Sequence, residues 1–183
     1  MRAFLAFEVS DQVVGRLAAA GEELGRTRAD LKIVRRDNLH FTVKFLGEIS
    51  EEQVGEIDAR LKGLELARFD VRVKGLGAFP DLRRPRVVWA GVAPESEESI
   101  NGTASAFIAA LEGIGQPEDR GFSPHITLAR VRSPANVGEL VSMLQLNAGR
   151  DFGVTTVSGL KLKSSVLSPS GPTYTDVREY GLR

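Results

Sequence analysis

Apolar and polar positions alternate along the chain in two periods, and together they predict a mixed run of strands and helices. Arg2–Val9 is apolar around Phe4 and reads as a buried strand. Asp11 caps a helix to about Arg26, with Val13, Val14, Leu17 and Leu24 on its apolar side. A short strand is expected at Leu31–Val34 and a stronger one at His40–Leu46, closed by Gly47. Ser50-Glu51-Glu52-Gln53 has the capping-box pattern, so a helix follows to about Leu64. Phe69–Val73 alternates as a strand, Gly75–Pro80 reads as a loop, and Val87–Val92 is a strand carrying Trp89. The second half predicts a helix from Ser96 to about Leu111, a strand at His125–Val131 and a helix over about Asn136–Leu146. Phe152–Leu162, Ser164–Leu167 and Thr173–Tyr180 close the chain as strands.

The two halves have the same order of elements. His40 and His125 stand 85 residues apart. The same offset lays the strand at Val87 on Arg2 and the helix near Ser96 on Asp11. It lays Asn136 on Glu51, and the strand around Thr155 on Asp70. Each half therefore reads strand, helix, His-bearing strand, helix, strand, which is the pattern of an internal duplication. Residue identity between the halves is weak. The element order carries the inference, against the alternative that an α+β chain shows it by chance.

Composition changes this picture mainly by exclusion. The 183 residues are 42% hydrophobic and 26% charged, ordinary for one globular domain or two intimate lobes. Lys plus Arg equals Asp plus Glu at 24 each. That balance argues against a protein that coats nucleic acid by neutralising many phosphates, and leaves room for a site that grips one or two. There is no cysteine, so disulfides, thiolate catalysis and Cys-ligated metals are excluded, and a cytoplasmic location is expected. The start, MRAFLAFEVS, is broken by Glu8 and lacks the form of a signal peptide. No stretch approaches the roughly 18 apolar residues of a membrane span, so no membrane partner is expected.

The chemistry sits on the histidines, of which there are two. Each opens a His-apolar-Thr-apolar string: His40-Phe41-Thr42-Val43 and His125-Ile126-Thr127-Leu128. Strand alternation puts His40 with Thr42, and His125 with Thr127, on one face, and the apolar residues on the other. Folded around an approximate two-fold axis, both imidazoles and both hydroxyls meet in one cleft. Imidazole exchanges protons near neutrality, so one ring can act as base while the other acts as acid. Such a pair suits in-line attack at phosphorus, with hydroxyls donating to phosphate oxygens and no cofactor. A lone His two residues before a Thr is ordinarily structural; the same context at both histidines is much harder to reach by accident. A metal site is disfavoured, because stable zinc sites want three or four protein ligands.

These strings resemble the two HxTx motifs of the two-histidine (2H) phosphoesterases. Asn38-Leu39-His40, Phe45-Leu46-Gly47-Glu48, Gly77-Ala78-Phe79-Pro80, Arg86-Val87-Val88-Trp89, Pro124 to Arg130 and Ser168 to Tyr174 are similar to the bacterial and archaeal branch. That branch is the RNA 2′,3′-cyclic phosphodiesterases, historically 2′-5′ RNA ligases, and the likeness covers Arg2 to Tyr180. It implies a bilobal α+β fold, two antiparallel sheets around a central cleft with helices outside. The lobes would hold about 1–85 and 86–183, with strand exchange between them. It implies metal-independent hydrolysis of an RNA 2′,3′-cyclic phosphate end to a 2′-phosphomonoester, tRNA fragments being among the candidate substrates, by a monomer. His40 would be the proton donor and His125 the proton acceptor, with Thr42 and Thr127 holding the phosphate. Attack by an RNA 5′-hydroxyl would give the 2′-5′ linkage. Other 2H substrates, 2′-5′ oligonucleotides or cyclic nucleotides, stay open, as does an RNA-end binding module without turnover.

Arg130 is the next candidate, able to grip a phosphate bidentately. Strand parity puts it on the face opposite His125, so only a bulge or strand end would bring it back. Its counterpart in the first half is Phe45. Phe7, Phe79 and Trp89 are candidates for stacking on a base, against the commoner fate of aromatics in the core. Arg83, Arg84 and Arg86 form a basic cluster that could guide RNA or simply be solvated.

Overall fold

The elements follow one another as β1 (Arg2–Phe7), α1 (Asp11–Gly25), β2 (Leu31–Ile33), a 3-10 turn (Arg36–Asn38), β3 (Phe41–Glu48) and α2 (Glu51–Leu61). Then come β4 (Phe69–Phe79), β5 (Val87–Val92), α3 (Pro94–Ala110), β6 (Ile126–Val131), α4 (Val137–Leu146), β7 (Asp151–Val157), β8 (Gly159–Val166) and β9 (Thr173–Gly181). They belong to a computed structural model that describes residues 1–117 and 120–183. Among these residues no helix is long and apolar enough to cross a membrane.

Local chemistry explains the helix starts. Ser50 accepts from the Gln53 N–H while the Gln53 side chain accepts from the Ser50 N–H, closing the expected capping box of α2. α3 begins two residues earlier than Ser96, with Pro94 in its first turn, where a missing N–H leaves nothing unsatisfied. α1 buries Val13, Val14, Leu17, Ala20 and Leu24 along one face.

The strands pair antiparallel in the order β7-β4-β5-β6-β3-β1-β8-β9, with β2 added to β6. The two halves of this curled sheet meet through one residue pair, Phe41 with Ile126. β3 parts from β6 beyond that point, and β2 takes up the freed edge from Ala129 to Val131. The third strands cross over. β4, from the first half of the sequence, pairs with β5, and β8, from the second half, pairs with β1.

Two stretches differ from expectation. The 75–80 segment, expected as a loop, continues β4 as far as Phe79. Gly75 takes φ 84° and its N–H donates to the Arg150 carbonyl, while the register with β5 shifts between Val73 and Leu76. A Cβ there would meet the Ala148 carbonyl at 2.5 Å, so glycine makes a bulge and the strand runs on. The expected strand Phe152–Leu162 breaks at Ser158 into β7, which pairs with β4, and β8, which pairs with β1. The chain changes sheet halves at that residue, and the expected 164–167 strand joins β8 as far as Val166.

The core lies between the sheet and the helices, with Phe7, Phe41, Phe107 and Phe152 fully buried. This corrects the reading of Phe7 as a stacking residue. Its ring stands edge-on to Phe69 at 5.8 Å and to Phe107 at 6.3 Å. Its ladder partners are Phe41 and Leu160, whereas its neighbour Ala6 pairs with Thr42. Strand alternation therefore turns Phe7 to the helix-covered side, where no base can reach it.

Candidate active site

β3 and β6 bring the two histidine strings side by side at the seam of the sheet. Each histidine stands immediately before its strand, and Phe41 pairs with Ile126 just beyond. Phe41, Val43, Ile126 and Leu128 are buried on the helix side, while His40, Thr42, His125 and Thr127 are half-buried on the cleft side.

Both rings are held in the same way. His40 Nδ1 lies 2.7 Å from the Asn38 carbonyl, and His125 Nδ1 lies 2.7 Å from the Ser123 carbonyl. A carbonyl only accepts, so each Nδ1 carries the hydrogen and each Nε2 is left to exchange a proton. Asn38 and Ser123 are themselves related by the 85-residue offset. The rings then diverge: His40 Nε2 is bonded to Thr42 Oγ1 at 2.8 Å. His40 also packs on Phe4 (5.0 Å between centroids) and edge-on to Tyr174 (5.5 Å), whereas His125 meets the edge of Phe79 at 4.9 Å.

Burial dominates the proton affinities. It brings His40 down to about 4, helped by the charges of Lys163 and His125 and resisted by the Asn38 carbonyl and Glu8. His125 is lowered as well, by burial first and then by Arg130, against the Ser123 carbonyl. Both rings are therefore neutral at pH 7 in the free site, and protonating one works against protonating the other. Stability is tied to the same burial. An unfolded chain protonates an imidazole near pH 6.5, whereas folded His40 resists until about pH 4. Unfolding therefore takes up to about one proton on this ring within that window, and stability falls as the pH drops through it. The loss of urea midpoint from pH 7 to about 4.5 should accordingly be smaller in His40→Asn than in the wild type. Equal losses would contradict a neutral buried ring.

Arg130 reaches the cleft by a route the alternation could not show. Thr127 pairs with Trp89 and Ala129 with Val88, so Leu128 is an extra residue in β6. Leu128 and Ala129 are both buried, and Arg130 emerges exposed on the histidine face. β3 does the same: Thr42 pairs with Ala6 and Lys44 with Leu5, leaving Val43 extra and Phe45 61% exposed. The two bulges, like the histidines, are 85 residues apart. Arg130 acts on His125 and also opposes the burial that raises the Tyr174 hydroxyl pKa, which places these groups around one cleft.

Of the aromatic candidates, Phe79 lies at the site, touching His125 and tilted against the half-buried Trp89 at 5.3 Å between centroids. Trp89 lies over Gly77, where a Cβ would collide with its ring. Arg83 and Arg84 stand exposed on the turn after β4, their N–H groups bonded to Asp81. The sequence reading missed Phe4, Tyr174, Glu8 and Lys163, all grouped around His40. The Ser168–Tyr174 string was the available signal for Tyr174; its turn is tied to the site by the Asn38 amide, which donates to the Pro172 carbonyl at 2.9 Å. Among the described residues no cluster of three or more His, Cys, Asp or Glu could hold a metal ion.

The sequence pattern of LigT-like phosphoesterases matches residues 7–89 and again 92–174, the second match displaced by the same 85 residues as the histidines. The chain belongs to the LigT-like phosphoesterase family. A relative from Aeropyrum pernix, an RNA 2′,3′-cyclic phosphodiesterase, is 38% identical over 91% of this chain and 95% of its own. One from Archaeoglobus fulgidus with the same name is 34% identical over 98% and 99%. A crystal structure of a Thermus thermophilus protein superposes with a TM-score of 0.78 at 31% identity, covering 100% of this chain and 98% of that one. Escherichia coli LigT, crystallised with 3′-AMP, shares the fold at a TM-score of 0.73 and 23% identity, covering 99% and 97%. The LigT-like fold thus accounts for the curled antiparallel sheet, the helices that cover it and the paired histidine strands.

Proposed function

We propose that the protein hydrolyses RNA ends carrying a 2′,3′-cyclic phosphate, leaving a 2′-phosphomonoester. The observation that carries this reading is the matched pair of imidazoles, each pinned through Nδ1 to a carbonyl, with a threonine hydroxyl two residues on. Binding alone has no use for two such proton carriers. His125 Nε2 takes a proton from water as the water oxygen bonds to phosphorus. The bond from phosphorus to O3′ breaks, and His40 Nε2 delivers a proton to the departing oxygen. Arg130 favours a neutral His125, which suits a base; at His40 the Lys163 ammonium outweighs the Glu8 carboxylate, so the acid gains its proton only with the substrate. The substrate's phosphate charge supplies the further pull that His40 needs to gain its proton. Thr42, Thr127 and Arg130 hold the phosphate oxygens, and Phe79 offers a ring to the nucleoside. Attack by an RNA 5′-hydroxyl in place of water, with the same bond to O3′ breaking, gives a 2′-5′ linkage by the same two transfers.

The test uses a short oligoribonucleotide ending in a 2′,3′-cyclic phosphate, incubated with the protein in EDTA. The expected product is the 2′-phosphate, formed at the rate seen without chelator. A 3′-phosphate would reverse the roles of the two ester oxygens, and binding without turnover would make the site a receptor for RNA ends.

A further inference from the structure

Four charged side chains, one just past the end of β1 and the others on β8 and β9, close a ring beside His40. Lys161 Nζ lies 3.0 Å from Glu8 Oε2 and 2.7 Å from Asp176 Oδ2. Lys163 Nζ lies 3.1 Å from Glu8 Oε1 and 2.7 Å from Asp176 Oδ1. Each lysine serves both carboxylates, and each carboxylate gives one oxygen to each lysine. The lysine side chains are only 17% and 12% exposed, while Glu8 and Asp176 are 49% and 46% exposed, so the ring is buried on its lysine side and open to solvent at its carboxylates. Burial alone would raise the Glu8 and Asp176 pKa values, but the lysine hydrogen bonds hold both below the usual carboxylate range. The ladders fix the place: Lys161 pairs with Ala6, which pairs with Thr42, and Lys163 pairs with Phe4, on which His40 packs.

Glu8 and Lys163 line one cavity of about 190 Å³ with His40. The other ionisable groups there are Asp11 from α1, Arg36 and Asp37 from the 3-10 turn, and Tyr174 from β9, with His125 across the cleft. Arg36 is bonded to the Asp11 carbonyl, and Asp37 is paired with Arg35 at 3.9 Å. Both nitrogens of His40 are taken by Asn38 and Thr42, so the ring's charges reach the imidazole through space.

We propose that Glu8 and Lys163 are positioning residues for proton transfer at His40, held by the ring so that one carboxylate and one ammonium oppose each other beside the imidazole. This rests on His40 as the proton donor. Lys163 outweighs Glu8 at the imidazole, so the empty site disfavours a proton on His40, and the arriving phosphate reverses that. Donor charging is thereby coupled to substrate binding.

The chain has two histidines, so each ring can be titrated by NMR in the ligand-free protein, with His125→Asn assigning the signals. Glu8→Gln leaves the ring one positive charge in excess and should lower the His40 titration by roughly half a pH unit; Lys163→Met should raise it by a similar amount. Asp176→Asn, outside the cavity lining, should follow Glu8→Gln in direction and keeps the test open if one variant fails to fold. The alkaline limb of kcat/KM should move in the same senses. Shifts of one sign for both charges, or none, would reduce the ring to a clasp between strands. The titration needs no turnover, so that outcome is distinct from failure of the hydrolysis reading.

Discussion

His40→Ala and His125→Ala are each expected to lower cyclic-phosphate hydrolysis by about 10²-fold or more, the scale of a positioned acid or base. Each variant keeps Arg130 and the other ring with its carbonyl anchor, so substrate still has groups to bind. The loss should therefore fall on kcat more than on KM. The double variant should be little slower than the worse single one, because two proton transfers that operate as a unit are not additive. Single-turnover rates on a defined oligonucleotide measure both points. Near-wild-type turnover in either single variant would remove the two-imidazole chemistry.

Phe7→Ala should destabilise the fold by about 3–5 kcal/mol, the range for emptying a buried phenylalanine site. Its ring is fully buried against Phe69 and Phe107, and nothing in the cleft would move to fill the gap. Urea denaturation should show an earlier midpoint with an unchanged slope, while KM of the folded enzyme stays the same. A variant of normal stability with a raised KM would return Phe7 to the cleft.

The contrast between Phe7 and Arg130 shows what alternation can and cannot carry. Ala3 to Phe7 are all buried, because β1 is covered on both faces. A strand without polar positions has no phase to read, so Phe4, which lies under His40, and Phe7, which lies in the core, look alike in sequence. Around the histidines the phase was legible, since Thr42 and Thr127 mark the cleft side. It failed three residues later in both strands, because an extra residue leaves no signature in composition and flips everything beyond it. Gly75 marked a bulge that looks, in sequence, like the opening of a loop. The ring of Glu8, Lys161, Lys163 and Asp176 joins residues far apart along the chain, and charge spacing says nothing of which strands become neighbours.

The crossing of β4 and β8 has a consequence for the 85-residue repeat. A chain severed in the turn between Phe79 and Val87 would not give two small proteins. The first piece would carry β4 with no strand to flank it, its partners β5 and β7 both lying in the second piece. The second piece would carry β8 cut off from β1. Each copy of the sequence completes its sheet only by lending a strand to the other, so the unit that repeats is not a unit that can fold alone.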